Sequence, residues 1–372
     1  MECGVAQVAA AREPIYRGGM SRHPFAIAVE LDGAGSHPGA RPASDPLSPR
    51  RWAALARIAE ALGLTAATFA DAPVLDGPAR LDAVQRAAFV APHTGGLGLI
   101  PVAHVVHSEP FHVTTQLASL DWLSQGRAGW IAAASSSPRE AAAFGAPVRT
   151  PDEVANELVD AIEVARRLWD SWQDDAVIRD VPTGRYLDAD RLHYVDFAGR
   201  GYSVKGPLIT PRPPQGQLPV LAHGTDAGAD VALVSGADED ATASAARDAR
   251  GRGAALVWAE IEVALDARGV PAAERVRALD AIRAWDRTGR LRHVGDAAGL
   301  AALVTRLSAE VDGIRLLPAE VDVDLEELGR ALLPPLRRTI GFASPRPGAT
   351  LRETLGLARP QNRYTAQEGS AA

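Results

Sequence analysis

The sequence predicts an α/β fold built on a parallel sheet, and three observations predict it. Short runs of β-branched and aliphatic residues alternate with amphipathic helical stretches along most of the chain. The helical stretches are long enough to carry a return crossover between parallel neighbours. The length, 372 residues, suits one large domain or two medium ones, and α/β barrels commonly take this much as a single domain.

Phe25 to Leu31 reads as the first strand and Asp32 to Asp45 as a loop rich in Gly, Pro and Ser. Ser48 then caps a helix with Pro49 in its first turn; Trp52, Leu55, Ala59 and Leu62 form one face, and Gly63 ends it. Ala66 to Ala70 is the second strand, Leu81 to Pro92 a helix, Leu97 to Val106 the third strand and Phe111 to Ser124 its helix. Gly129 to Ala134 is the fourth strand. The stretch Pro151 to Trp172 carries Val154, Leu158, Ile162, Ala165 and Trp169 at spacings of three and four, which marks a core-facing helix.

Residues 174–217 break the rhythm with a polar, turn-rich run too long for an ordinary loop, read as an excursion with a hairpin of Tyr194 to Phe197 and Tyr202 to Val204. Strand five is Pro219 to Ala222 and strand six Val231 to Ser235, separated only by His223 to Asp230. A parallel neighbour normally needs a crossover of about a dozen residues. The sheet is therefore expected to be distorted or partly open at this junction. Asp238 to Arg250 is helical, Ala254 to Ala264 is strand seven, and Pro271 opens a helix with Val276, Leu279, Ile282 and Trp285 on one face. Leu300 to Leu307 is a further helix, Gly313 to Pro318 the eighth strand and Leu325 to Leu336 a closing helix.

Composition excludes several functions. A net charge of −7 with interspersed signs leaves no basic stripe for nucleic acid. No apolar run approaches the roughly 18 residues that cross a bilayer, and Val5 to Ala11 is too short and lacks a basic flank for a signal peptide. A soluble cytoplasmic protein with no membrane partner is expected. The lone Cys3 excludes an internal disulfide and a thiolate cluster.

The most informative segment runs from Gly98 to Ser137. It holds Glu109, Pro110, Phe111 and His112 at a strand-to-helix junction, Ser119 to Asp121 on the helix, and Arg127 to Trp130 leading into the next strand. On these motifs, on Phe69-Ala70-Asp71 and on the tail from Leu351 to Tyr364, the chain resembles the bacterial luciferase-like monooxygenases, nearest to the nitrilotriacetate and dibenzothiophene-sulfone type. The resemblance covers about Phe25 to Tyr364. It implies a (β/α)8 TIM barrel with an insertion after strand four and a shortened strand five to strand six crossover. Residues 1–22 then read as a disordered leader, 23–345 as one barrel domain with the excursion 174–217, and 346–372 as a C-terminal tail.

In such a barrel the reactive groups lie where the strands end. The resemblance implies catalytic roles for His104 and His107, and cofactor contacts from Asp71, His104, Trp130, Ser135, Gly224 and Thr225. A histidine beside a flavin can hydrogen-bond the ring edge and relay a proton near neutral pH. Asp71 is equally a cap for the next turn, and Glu109-Pro110 is read as fixing loop geometry. His104 and His107 have metal-ligand spacing but no third ligand cluster, so no metal is expected. Gly224 and Thr225 stand where the family holds the flavin phosphate, without the helix that would supply free N–H groups. The chain departs from those relatives at Val102, Ile131 and Ala134, which cannot donate hydrogen bonds, and lacks a His-Asp-x-Arg-Tyr segment between Arg149 and Ala165. No Rossmann fingerprint and no nucleophile elbow are present.

The function implied is a two-component monooxygenase using reduced FMN and O2 on a small organic substrate. Its expected partners are a transient flavin reductase and a second copy in a homodimer. Two alternatives remain open: hydride transfer with the deazaflavin F420, and a barrel that has lost cofactor binding.

Overall fold

The computed structural model describes residues 23–42, 44–75, 79–224 and 228–365. The leader assigned to residues 1–22 lies outside them. The strands are β1 (Ala26–Glu30), β2 (Ala66–Phe69), β3 (Gly98–His104), β4 (Trp130–Ala133), β5 (Val177–Asp180), β6 (Arg185–Leu187), β7 (Phe197–Ala198), β8 (Ser203–Val204), β9 (Val220–His223), β10 (Val231–Val234), β11 (Leu256–Leu265), β12 (Leu291–Gly295) and β13 (Gly313–Pro318). The helices are α1 (Pro49–Ala61), α2 (Ala83–Val90), α3 (Pro110–Leu123), α4 (Pro138–Phe144), α5 (Pro151–Asp170), α6 (Glu239–Gly251), α7 (Ala272–Asp280), α8 (Ala297–Leu307), α9 (Val321–Glu327), α10 (Leu333–Thr339) and α11 (Leu351–Thr354).

Strands β1, β2, β3, β4, β9, β10, β11 and β13 pair in that order, all in parallel, and β13 returns to β1. This is the closed (β/α)8 barrel that the resemblance implies. Ala28, Ile100, Ile131, Leu221, Leu233 and Trp258 fill the lumen. A larger apolar layer joins the outer strand faces to the helices.

The expected opening between strands five and six does not occur. Val231 pairs with Leu221 and also with Leu256, so the ring is continuous there. The short return suffices because β9 has only four residues. It rises about 13 Å, whereas seven extended residues can reach about 23 Å. β12, which the sequence reading missed, pairs with Ile261 to Leu265 of β11 and continues the wall above β10. The helix after Pro271 also stops earlier than expected, at Asp280. Trp285 turns back against His37, 4.9 Å between ring centroids, and lies beneath the guanidinium of Arg292 at 3.8 Å.

The excursion contains the expected second hairpin, as β7 with β8, and an additional one, β5 with β6. The tail returns to the barrel floor. Leu351 and Leu355 enter the lumen cluster, and added Cβ atoms at Gly98 and Gly129 would meet Leu351 at 2.7 and 3.0 Å. Those glycines open β3 and the approach to β4 so that the tail can plug the floor.

The motifs that carried the resemblance act here as staples. Buried Asp121 accepts the N–H of Ala128 and both the N–H and side-chain amide of Gln215; burial raises its pKa to about 6 against those donors. Arg127 donates to the carbonyls of Ser124, Leu97, Ala91 and Thr94 and to the Thr94 hydroxyl, at 2.8 to 3.0 Å. Glu109 caps α3, accepting from Phe111 and His112. Arg127→Lys keeps the charge but loses the planar fork, so a cost of about 2 kcal/mol is expected. A lower urea midpoint at constant m-value checks it.

Candidate active site

β3 ends at His104, and a cavity of about 380 Å³ opens beside it, between the N-termini of α2 and α3. This is the C-terminal face of the barrel, and the volume is at the small end of the range for ligand sites. The wall combines Asp71, His104, His107 and Glu109 with the apolar Val102 and Phe144.

The structure brings four expected residues together here. The Nε2 of His104 lies 3.2 Å from the Asp71 carbonyl oxygen. That oxygen can only accept, which assigns the proton to Nε2 and leaves Nδ1 with a lone pair. Nδ1 faces the Ser135 hydroxyl at 3.5 Å, and that hydroxyl donates to Glu140 at 2.9 Å. Burial lowers the pKa of His104, outweighing the Asp71 carbonyl and the charges of Asp71 and Glu140. It is a neutral imidazole at neutral pH, able to take up a proton. Asp71 itself is tied down, accepting the N–H of Ala72 at 2.8 Å and of Ala83 at 2.7 Å, so it joins the end of β2 to the start of α2.

His107 stacks on Phe144 with ring centroids 4.7 Å apart and planes 5° from parallel. Its Nε2 is buried and has no hydrogen-bond partner in the protein. A buried nitrogen without a partner is costly unless something polar meets it. Phe144 comes from α4, another element the sequence reading missed. Its signal was present in Ser137 and Glu140, which form a capping box. The same Glu140 receives the Ser135 hydroxyl, so the cap of α4 and the environment of His104 share one carboxylate.

Trp130 does not join this group. Alternation along β4 turns Ile131 to the lumen and Trp130 to the helix layer, where it is buried, donates to the Ala103 carbonyl at 3.1 Å and meets Trp169 edge-on. Gly224 follows β9 at the barrel mouth, exposed, with φ +88° and open space around its Cα. Thr225 lies outside the described residues.

Sequence reasoning missed the charged plug in the upper lumen. Arg315 of β13 bonds Glu30 of β1, Glu260 of β11 and the Thr68 hydroxyl. Glu260 also accepts from Arg290 at 2.8 Å and Ser235 at 3.2 Å and lies 3.6 Å from His223. One turn of the pleat higher, Arg292 of β12 pairs with Glu262. Burial works against ionisation of Glu260, but Arg315, His223 and Arg290 outweigh it and hold its pKa at about 2. Glu30 shares Arg315 yet shifts upward, since burial and the charges of Asp32 and Glu260 outweigh its cations.

No helix among the described residues is long and apolar enough to cross a membrane. The sequence model of the luciferase-like monooxygenases matches residues 30–332. N-acetyl-S-(2-succino)cysteine monooxygenase of Bacillus subtilis is 38% identical over 143 residues, 38% of this chain and 32% of that protein. Dibenzothiophene-sulfone monooxygenase of Rhodococcus erythropolis is 34% identical over 149 residues, 40% of this chain and 33% of that protein. The matched segment thus spans about a third of the length of these curated relatives. The solved structure of a long-chain alkane monooxygenase superposes with a TM-score of 0.80 at 19% identity, covering 94% of this chain and 100% of that one. An F420-dependent tetrahydromethanopterin reductase is more distant, with a TM-score of 0.60 at 15% identity over 84% of this chain and 99% of that one. With the barrel closed, the cavity at its C-terminal face and the family model matched over residues 30–332, the chain belongs to the luciferase-like monooxygenase family.

Proposed function

We propose that this chain is the oxygenating component of a two-component monooxygenase, acting on a small organic substrate with reduced FMN delivered by a separate reductase. The observation that carries the reading is the cavity beside β3, where a neutral imidazole and a second imidazole with a buried, unpartnered nitrogen share one wall. This donor set fits a flavin and its substrate. The reduced flavin, when bound, would supply the electrons with which O2 is activated.

The other steps fall to the protein. His104 would accept or return a proton at Nδ1, its ring held by the Nε2–H bond to the Asp71 carbonyl, and the protonated Nδ1 would then find the Ser135 oxygen as an acceptor. His107, stacked on Phe144, would form part of the wall against the bound group, while Phe144 and α4 limit access of water. Ser135 would orient the cofactor edge, and Gly224 with Thr225 would take the phosphate. The expected setting is a cytoplasmic homodimer that meets the reductase transiently.

An anaerobic titration of the purified protein with reduced FMN, oxidised FMN and F420, followed by absorbance and fluorescence, tests the proposal. Preference for reduced FMN is the expected result. Failure of all three to bind at about 50 µM, far above the affinity a working site needs, would sink it. Tight F420 binding with indifference to FMN would replace it by hydride transfer.

A further inference from the structure

We infer that the arginines at the start of β12 form a subsite for a carboxylate carried by the substrate; the inference rests on the proposed function and names its substrate class as a small organic anion. A second cavity, of about 390 Å³, is lined by Ala237, Arg287, Gly289, Arg290, Arg292 and Val294. No carboxylate stands among these described lining residues. The cavity belongs to the barrel mouth. Arg292 pairs in register with Glu262, and Glu260 and Glu262 share the face of β11 that carries Trp258 into the lumen, so Arg290, Arg292 and Val294 line the inner side of the wall. In the ring, β11 stands four places from β3 in either direction. The cluster therefore lies across the mouth from His104, where it can anchor one end of an elongated substrate.

The carboxylates beneath hold the guanidiniums without closing them off. Arg290 donates through Nε to Glu260, and its two Nη groups have no partner among the described residues. Arg292 is fixed by Glu262 and by the Trp285 and Asp286 carbonyls, so it adds charge rather than a free donor. Glu262 also accepts the Thr288 hydroxyl. Both glutamates are buried, whereas the exposed Arg287 side chain makes no hydrogen bond or ion pair among the described residues. Four guanidiniums, of Arg287, Arg290, Arg292 and Arg315, thus meet three carboxylates, of Glu30, Glu260 and Glu262, and the excess cation is at the cavity surface. The acids next to Ala237 are engaged on α6: Asp238 accepts the Ala241 N–H and Glu239 pairs with Arg306.

A guanidinium anchored through Nε presents its Nη groups as a fork, which matches the two oxygens of a carboxylate. The partly desolvated setting strengthens such a pair relative to one in open water. Ala237 and Val294 give the adjoining carbon chain an apolar surface. A cationic ligand would meet only like charge here.

The test uses the full chain without flavin and a matched pair of probes, phenylbutyrate and phenylbutanol, by calorimetric titration at low salt. The carboxylate is expected to bind at least about tenfold more tightly than the alcohol. Arg287→Gln should reduce that ratio by about threefold or more, and so should Arg290→Lys, which keeps a cation for Glu260 but loses the free fork. Arg247→Gln is the control, since it removes a surface charge paired with Glu310 and should leave the ratio unchanged. Circular dichroism establishes that the variants are folded. Equal binding of the two probes overturns the inference, as does failure of both to bind, an unchanged ratio in either folded site variant, or an equal fall in the control. The flavin phosphate is the competing occupant: a loss of FMN affinity relative to riboflavin in Arg287→Gln would assign the cluster to the cofactor and overturn the inference, and no such loss is expected. Because the probes are titrated without flavin, their failure leaves the flavin titration of the proposed function standing.

Discussion

Arg315→Met is expected to lower the unfolding free energy by about 3–5 kcal/mol at pH 7, because it leaves Glu30 and Glu260 in the lumen without their shared guanidinium. The urea midpoint reports the loss, and a change below about 1 kcal/mol would mean that Arg290 takes over the role. The pH dependence adds an independent signature. In the parent protein the pKa of Glu260 is about 2 folded against an ordinary 4.5. Its contribution is therefore complete above pH 4.5 and is lost as pH falls from there through 2. In the variant Glu30 loses its bonded guanidinium while Glu260 keeps Arg290; burial then raises the pKa of Glu30 further, so its contribution to stability should instead increase as pH falls from 7 toward 5.

His104→Ala is expected to lower turnover by about 10²-fold or more, the usual weight of a positioned proton-transfer group. His93→Ala serves as the control, since His93 sits at the far end of α2, bonded to Arg57 at 2.9 Å. Equal effects of the two would remove His104 from the site. The pH profile discriminates further. The pKa of His104 is lowered from 6.5, so the active neutral form is populated at neutral pH and activity should decline only on the acid side of 6.5. His104→Gln keeps a polar side chain but not the titration, and should flatten that acid limb.

The barrel was legible because most of its strands are buried on both faces and therefore read as continuous apolar runs, such as Ala26 to Val29 and Val231 to Val234. Element β12 escaped because Arg292 and His293 break that pattern. The lumen plug escaped for a related reason. Single charges in a strand suggest a solvent face, yet Glu260 and Glu262 lie at alternate positions within Leu256–Leu265, all of it buried. Alternation of charge inside an apolar strand, with Arg315 in a similar setting, was the usable signal for a charge-filled lumen. Conversely, the Glu109, Asp121 and Arg127 motifs, which named the family, turn out to hold loops and helix ends. His104, His107 and Ser135 were legible as strand-end positions, but Glu140 and Phe144 were not, because the serine run hid the capping box of α4.

The plug made by Leu351 and Leu355 sets an order on biosynthesis. Every barrel strand is made before the residues that stopper the cylinder, so a released chain ending near residue 340 would carry all the strands of the ring with a water-accessible base. Gly98 and Gly129, emptied of side chains to receive Leu351, would then border a hydrophobic vestibule. Until Leu351 and Leu355 dock, the barrel has the liability of a partly folded intermediate, with apolar surface open to chaperones and to neighbouring chains.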